Sequence, residues 1–282
     1  MGFGRARWII TLGLASAFTM LSAAKPASTS SLDLKSTSAL VLDQKTGELL
    51  FQKRPETVRS IASITKLATA MVVLDAHLDL DEPLTITQDD VDTIKRSRSR
   101  LPVGTTLTRG QALLLALMSS ENRAAHALGR TYPQGIEAFV AAMNAKAKAL
   151  GLTETRFEDP TGLSESNVSS AKDLAQLVQA AYRYPTIREF TTCDGATVTW
   201  KNRPIAFHNS NRLIGNPNWE IGLSKTGFIS EAGRCLVMQA WVAQRSVVIV
   251  LLDSVGKLTR VGDANRIKTW MEATLPGAQI RR

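Results

Sequence analysis

At 282 residues, 44% hydrophobic and 21% charged, the chain can bury a sizeable core as one large domain or two closely packed lobes. This composition excludes wholesale disorder. The formal net charge of +9 suits an anionic polymer or a membrane surface, and no nucleic-acid-binding motif accompanies it.

Residues 1–24 read as a secretory signal peptide. Arg5 and Arg7 precede an apolar run from Trp8 to Leu21, closed by Ser22-Ala23-Ala24. The run is short for a retained bilayer span, and no later stretch is long enough for one. A periplasmic protein is expected, at most loosely associated with the membrane. Residues 25–35 are Ser/Thr-rich and read as a flexible lead-in to a domain over 36–282.

Strands at Ala39–Asp43 and Glu48–Phe51 flank Gln44-Lys45-Thr46-Gly47 as a hairpin. A helix opening near Ser63 and running to about His77 follows. Its inward positions are Ile64, Leu67, Ala68, Met71, Val72 and Leu74, which mark it as a core helix. Asp79 to Thr108 shows no strong period, and its basic stretch Lys95 to Arg100 reads as either a solvated loop or a contact site. Thr108 caps a helix through Met118 that breaks at Ser119-Ser120-Glu121-Asn122 and resumes over Ala124–Leu128. Gly135 to Leu150 is a helix with Ile136, Phe139, Val140 and Met143 inward, stopped by Gly151.

After a turn at Asp159-Pro160-Thr161-Gly162, Ser170 with Asp173 resembles a capping box on a helix ending before Pro185. Strands are expected at Ala196–Lys201, Glu220–Lys225, Leu236–Ala243 and Ser246–Leu252, the last two joined by a turn at Gln244-Arg245. An amphipathic helix from about Arg260 to Leu275 presents Ile267, Trp270 and Met271. The order implies a mixed α/β fold. An antiparallel sheet is built from both ends of the chain, and an all-helical lobe at about 79–185 is inserted between them. Cys193 and Cys235 leave a bridge and two separate thiols equally open.

The chemistry begins with Ser63 and Lys66, a hydroxyl and an amine on one face of a buried helix. A buried lysine must pair, lose its proton or act as a base. Ser-x-x-Lys also occurs at Ser22/Lys25, Ser169/Lys172 and Ser254/Lys257, so the apolar helix behind Ser63 is what singles this pair out. Ser120-Glu121-Asn122 lies at the helix break, and Lys225-Thr226-Gly227 ends the Glu220 strand. A second Lys-Thr-Gly at Lys45-Thr46-Gly47 reads as the turn of the first hairpin. The ordered set of Ser-x-x-Lys, Ser-x-Asn and Lys-Thr-Gly on helix, break and strand is the informative feature.

With these motifs the sequence resembles the penicillin-binding, active-site-serine D,D-peptidases, and within them the penicillin-binding protein 7 group of D-alanyl-D-alanine endopeptidases. The likeness spans about Ser36 to Leu275. It is specific at Ser60–Ala70, Ser97–Gly104, Leu117–Ala127 and Gly222–Val237. The resemblance implies a β-lactamase/D,D-peptidase-like fold. It also implies an acyl-enzyme on Ser63, with Lys66 as base and Ser120 relaying a proton to the leaving amine. Lys225 would be the cation that helps depress Lys66. Asn122, Lys225, Thr226 and Gly227 would hold substrate, and the N–H groups of Ser63 and Phe228 would form the oxyanion hole.

The implied substrate is cross-linked peptidoglycan, at the D-Ala–diaminopimelate bond, with β-lactams as inhibitors. No metal or other cofactor is required, and a monomer is expected. His77, His126 and His208 form no metal-ligand pattern and read as structural. The absence of Gly-x-Ser-x-Gly disfavours a Ser-His-Asp hydrolase. Glu154, Glu158 and Glu165 lack the setting of a class A β-lactamase's second carboxylate. The rival readings are a D-Ala-D-Ala carboxypeptidase with the same residues and a non-catalytic peptidoglycan or β-lactam binder.

Overall fold

In a computed structural model, residues 1–2 and 32–275 of the chain are described. The signal peptide falls outside them except for Met1 and Gly2, as does most of the lead-in. At the lead-in's end Leu34 is buried, and the Lys35 and Ser36 N–H groups donate to the buried Asp263 carboxylate. The chain is thus pinned just before its first strand.

Strands β1 (Ser36–Asp43) and β2 (Leu49–Lys53) form the expected hairpin. Asp43 Oδ1 accepts from the Lys45 and Thr46 N–H groups, so Lys45-Thr46-Gly47 is indeed its turn. From the far end of the chain come β9 (Glu220–Ile229), β10 (Gly233–Val242) and β11 (Arg245–Ser254). All five join one antiparallel sheet in the order β2-β1-β11-β10-β9. Both faces are covered, which explains the unbroken apolar run of β11. Val248, Val250 and Leu252 face the helical side, while Val247, Ile249 and Leu251 face α7 (Thr259–Thr274). Ile267 and Met271 of α7 are buried and Trp270 packs at their margin.

The helical side holds α1 (Lys66–Asp75), α2 (Arg109–Met118), α3 (Asn122–Arg130), α4 (Gly135–Ala149) and α5 (Ala171–Ala181). Short two-stranded pairs tie the connections. These are β3 (Arg59–Ser60) with β6 (Val168–Ser169), and β4 (Pro83–Thr85) with β5 (Thr106–Thr108). Thr108 caps α2 in a full capping box with Gln111. Ser170 caps α5 by accepting from the Asp173 N–H, but the Asp173 carboxylate serves Glu154 and Thr155 instead, so that box is one-sided. In α4 only Phe139, Met143 and Ala147 are fully buried, while Ile136 and Val140 stay half-buried.

Several expected boundaries move. The Ser63 segment is a 3₁₀ turn over Ala62–Thr65, and the α-helix opens at Lys66 and ends at Asp75. Val73 is buried there while Leu74 is half-buried. A helix α6 (Pro185–Thr192), not anticipated, starts on Pro185, where proline's missing N–H costs nothing. Strand β7 (Gly195–Trp200) pairs with β8 (Arg203–His208), also unanticipated, as a separate hairpin. The β10–β11 turn centres on Ala243-Gln244, both at positive φ (50° and 63°), the requirement of a two-residue hairpin. Strand β9 continues to Ile229, which puts Lys225-Thr226-Gly227 inside the strand rather than at its end. The cysteines are separate thiols. Cys193 is half-buried, and burial pushes the Cys235 thiol up to about 11.

Candidate active site

The nucleophile turn is held by close backbone contact rather than by a side-chain cap. Ala62, just before Ser63, sits at φ 47°, and the Asp159-Pro160-Thr161-Gly162 turn presses against it. The Asp159 carboxylate accepts from the N–H groups of Thr161, Gly162 and Ser164, which fixes that turn. The Thr161 carbonyl is thereby delivered to the site. From the other side Gly227 of β9 approaches so closely that a Cβ there would lie 2.8 Å from Ile61 O and 3.3 Å from Ser63 N. The third residue of Lys225-Thr226-Gly227 is glycine for this reason.

Lys66 is fully buried, and its Nζ has three partners: Ser63 Oγ at 2.8 Å, Asn122 Oδ1 at 2.8 Å and Thr161 O at 2.6 Å. Two of these oxygens can only accept, while the Ser63 hydroxyl can also donate. A neutral amine has two N–H donors and one lone pair. As an ammonium Lys66 donates to all three; in the neutral form it keeps Asn122 and Thr161 and can offer its lone pair to the Ser63 O–H. Burial lowers the Lys66 pKa to about 7, against an opposing pull from the Asp159, Glu121 and Asp92 carboxylates. The expected help from the Lys225 cation is not the driver. Burial first, then repulsion from Lys66 and Arg260, holds Lys225 well below a normal lysine. Two buried amines this close do not both carry a proton cheaply.

Ser120 follows Ser119, the C-cap of α2, and sits at φ 62°, a position where glycine or asparagine is usual. Its hydroxyl accepts from Lys225 Nζ at 2.9 Å. Lys225 Nζ also donates to Thr226 O at 3.0 Å, and Thr226 Oγ1 bonds Ser210 Oγ at 2.8 Å. Asn122 opens α3, and its Nδ2 donates to Ser97 Oγ at 3.0 Å. Phe228, the next residue of β9, is exposed, and Arg234 stacks on its ring at 4.2 Å. Ser63, Lys66, Ser120, Asn122, Lys225, Thr226 and Gly227 thus meet in one place, with Phe228 beside them.

Four contributors were not anticipated as site residues: Asp159, Thr161, Ser97 and Ser210. Asp-Pro-Thr-Gly was legible as a turn, but which backbone it would press was not. The stretch from Lys95 to Arg100 resolves into an alternation. Ser97 and Ser99 reach Asn122 and Glu121, while Arg96, Arg98 and Arg100 are exposed. His126 bonds the buried Asp90 together with Arg130 and is structural.

A serine hydroxyl 2.8 Å from the amine of a fully buried lysine, beside the edge strand of an antiparallel sheet with helices on both faces, is the arrangement of a serine hydrolase. The comparisons narrow the class. The family model described as D-alanyl-D-alanine carboxypeptidase matches residues 23–256, and the chain belongs to this family. It is 50% identical to a Pseudomonas aeruginosa D-alanyl-D-alanine endopeptidase over 85% of this chain and 78% of that relative. It is 46% identical to an Escherichia coli protein of the same description, with the same coverage. Among solved structures, a Streptomyces DD-transpeptidase aligns over 84% of this chain and 97% of its own, at 29% identity and TM-score 0.78. A Mycobacterium tuberculosis D-alanyl-D-alanine carboxypeptidase aligns over 92% and 97%, at 27% identity and TM-score 0.79.

Proposed function

We propose that this protein is a periplasmic serine D,D-endopeptidase that hydrolyses D-Ala–diaminopimelate cross-links of peptidoglycan and is acylated by β-lactams. The observation that carries the reading is the fully buried Lys66 amine, 2.8 Å from Ser63 Oγ, whose pKa burial lowers to about 7. Ser63 attacks the D-Ala carbonyl as its proton passes to Lys66. The Ser63 and Phe228 N–H groups stabilise the oxyanion, in keeping with the tight approach of Gly227 to the Ser63 turn. Ser120 passes a proton to the leaving amine. Asn122 grips the substrate backbone, and Lys225 with Thr226 holds the carboxylate beside the scissile bond. That carboxylate favours the proton on Lys225, which leaves Lys66 neutral for its role as base. The acyl-enzyme is then released to water.

The endopeptidase descriptions of the relatives at 50% and 46% identity favour this bond over terminal D-Ala, since the carboxypeptidase match to a Streptomyces protein stands at 30%. Among the described residues no helix is long and apolar enough to cross a membrane. The expected monomer, and export by the signal peptide, complete the proposal. Mature protein incubated with a cross-linked muropeptide dimer should yield two monomers by mass, and Ser63→Ala should yield none. Free D-Ala with the dimer intact would instead identify a carboxypeptidase.

The proton on Lys66 also predicts the pH dependence. With a pKa of about 7, the neutral base is about a tenth populated one unit below it and nearly fully populated one unit above. β-Lactam acylation, followed by stopped-flow, should rise about tenfold from pH 6 to a plateau above pH 8. A flat profile would rule out Lys66 as the base.

A further inference from the structure

A cleft of about 270 Å³ is lined by Arg98, Arg100, Ser119, Glu121, Phe207 and His208, the two residues flanking Ser120 among them. It is continuous with the catalytic groups through the backbone. Ser119 precedes Ser120, and the chain leaving His208 reaches Ser210, whose N–H bonds Met118 O and whose hydroxyl bonds Thr226. Three other arginines of the helical lobe are committed: Arg109 pairs with Glu82, Arg130 with Asp90, and Arg123 donates to Leu101 O. Arg98 and Arg100 are exposed, and among the described residues neither pairs with a carboxylate. Arg100 Nη1 donates only to Ala206 O, which fastens its loop to β8. The one carboxylate in the lining, Glu121, is buried and already satisfied by the Ser99 hydroxyl and the Arg123 N–H. The cleft thus presents unspent positive charge next to the group that protonates the leaving amine.

We infer that this cleft is the leaving-side subsite, where Arg98 and Arg100 hold carboxylates of the acidic peptide attached to the leaving amine. The inference rests on the endopeptidase reading. A released D-Ala ends at the carboxylate held by Lys225 and Thr226 and does not reach the cleft. The leaving half of a cross-link continues past Ser120 as a peptide with further carboxylates, and two guanidiniums suit them. Arg98 and Arg100 would therefore set preference for a cross-link over a terminal residue without touching the reacting atoms.

The test compares wild type with Arg98→Ala/Arg100→Ala on the muropeptide dimer, with β-lactam acylation as the measure of an intact nucleophile, since a β-lactam carries no leaving peptide. The expected result is a rise of about tenfold in KM for the dimer, with kcat and β-lactam acylation within twofold of wild type. Amidating the leaving half's carboxylates, other than the one beside the scissile bond, should raise the wild-type KM similarly and leave the double variant indifferent. Arg98→Lys/Arg100→Lys should recover much of the loss. Equal dimer kinetics in wild type and the alanine variant would overturn the subsite while leaving the endopeptidase standing. Parallel loss of dimer cleavage and acylation would overturn it as a structural effect. A wild type that releases D-Ala and spares the dimer would remove the endopeptidase reading itself, and the cleft's assigned occupant with it.

Discussion

Lys66→Met is expected to abolish measurable acylation, with a loss on the order of 10³-fold or more, while leaving a folded protein whose stability responds to pH differently from wild type. The first effect follows from removing the group that takes the Ser63 proton, since positioned general bases contribute ~10²–10⁴-fold. Ser63 stays in place, because its turn is held by the backbones of Thr161–Gly162 and Gly227 rather than by Lys66. The second effect is a linkage consequence. In the unfolded chain Lys66 holds its proton to about 10.5, whereas in the folded protein it releases it near 7. Between those values the unfolded state binds more protons, so folding stability rises with pH. The burial penalty is full below pH 7 and shrinks above it. Wild type should therefore gain about 2 kcal/mol relative to Lys66→Met between pH 7 and pH 9. Urea unfolding of both proteins at the two pH values measures it. A constant difference would mean that Lys66 keeps its proton in the folded protein, and the account of the base would fail.

Gly162→Ala should be among the most damaging single-methyl substitutions in the molecule. Gly162 adopts φ 81°, and a Cβ there would stand 2.0 Å from Ala62 O and 2.9 Å from Ser63 N. The left-handed conformation alone costs an alanine about 1–2 kcal/mol. The overlap adds more, because both neighbours are backbone and neither can rotate away. Displacing the Ala62–Ser63 turn would also shift the nucleophile from Lys66, and a misplacement near 1 Å costs about 10²-fold in rate. We expect a loss of about 3 kcal/mol or more in unfolding free energy, together with a fall of at least about 10²-fold in acylation. Gly151→Ala separates the two causes. It has φ 72° but nothing within 4 Å, so it should show the conformational cost alone and normal acylation. Equal effects from both substitutions would exclude the packing of the 159–162 turn against Ser63 as a determinant of the site.

Much of this site was readable before any coordinates. Ser63, Lys66, Ser120, Asn122 and Lys225 each stand in a short motif whose order along the chain is distinctive, and the resemblance carried by those motifs led to the family. The elements with long periodic patterns, α1, α2, α4, β10 and β11, were legible for the same reason, since burial on a regular element leaves a regular trace. Elements whose stability comes from docking were not. Helix α6 has one fully apolar buried side chain, Ile187, and β8 reads as polar loop because its exposed face dominates.

What the sequence determined by itself was the list of reactive groups and the class of chemistry, because a hydroxyl, an amine and an apolar helix behind them are properties of composition and spacing. The protonation state and partners of those groups were decided only by the tertiary structure. Ser63 and Lys66 are three residues apart, but Thr161 O, Asn122 Oδ1 and Gly227 reach them from distant parts of the chain. The burial that lowers the Lys66 pKa to about 7 is produced by those segments jointly. Local sequence specifies which atoms a residue carries, but the surrounding dielectric and hydrogen-bond partners exist only once remote segments have packed, and these determine how readily the amine gives up its proton beside the serine.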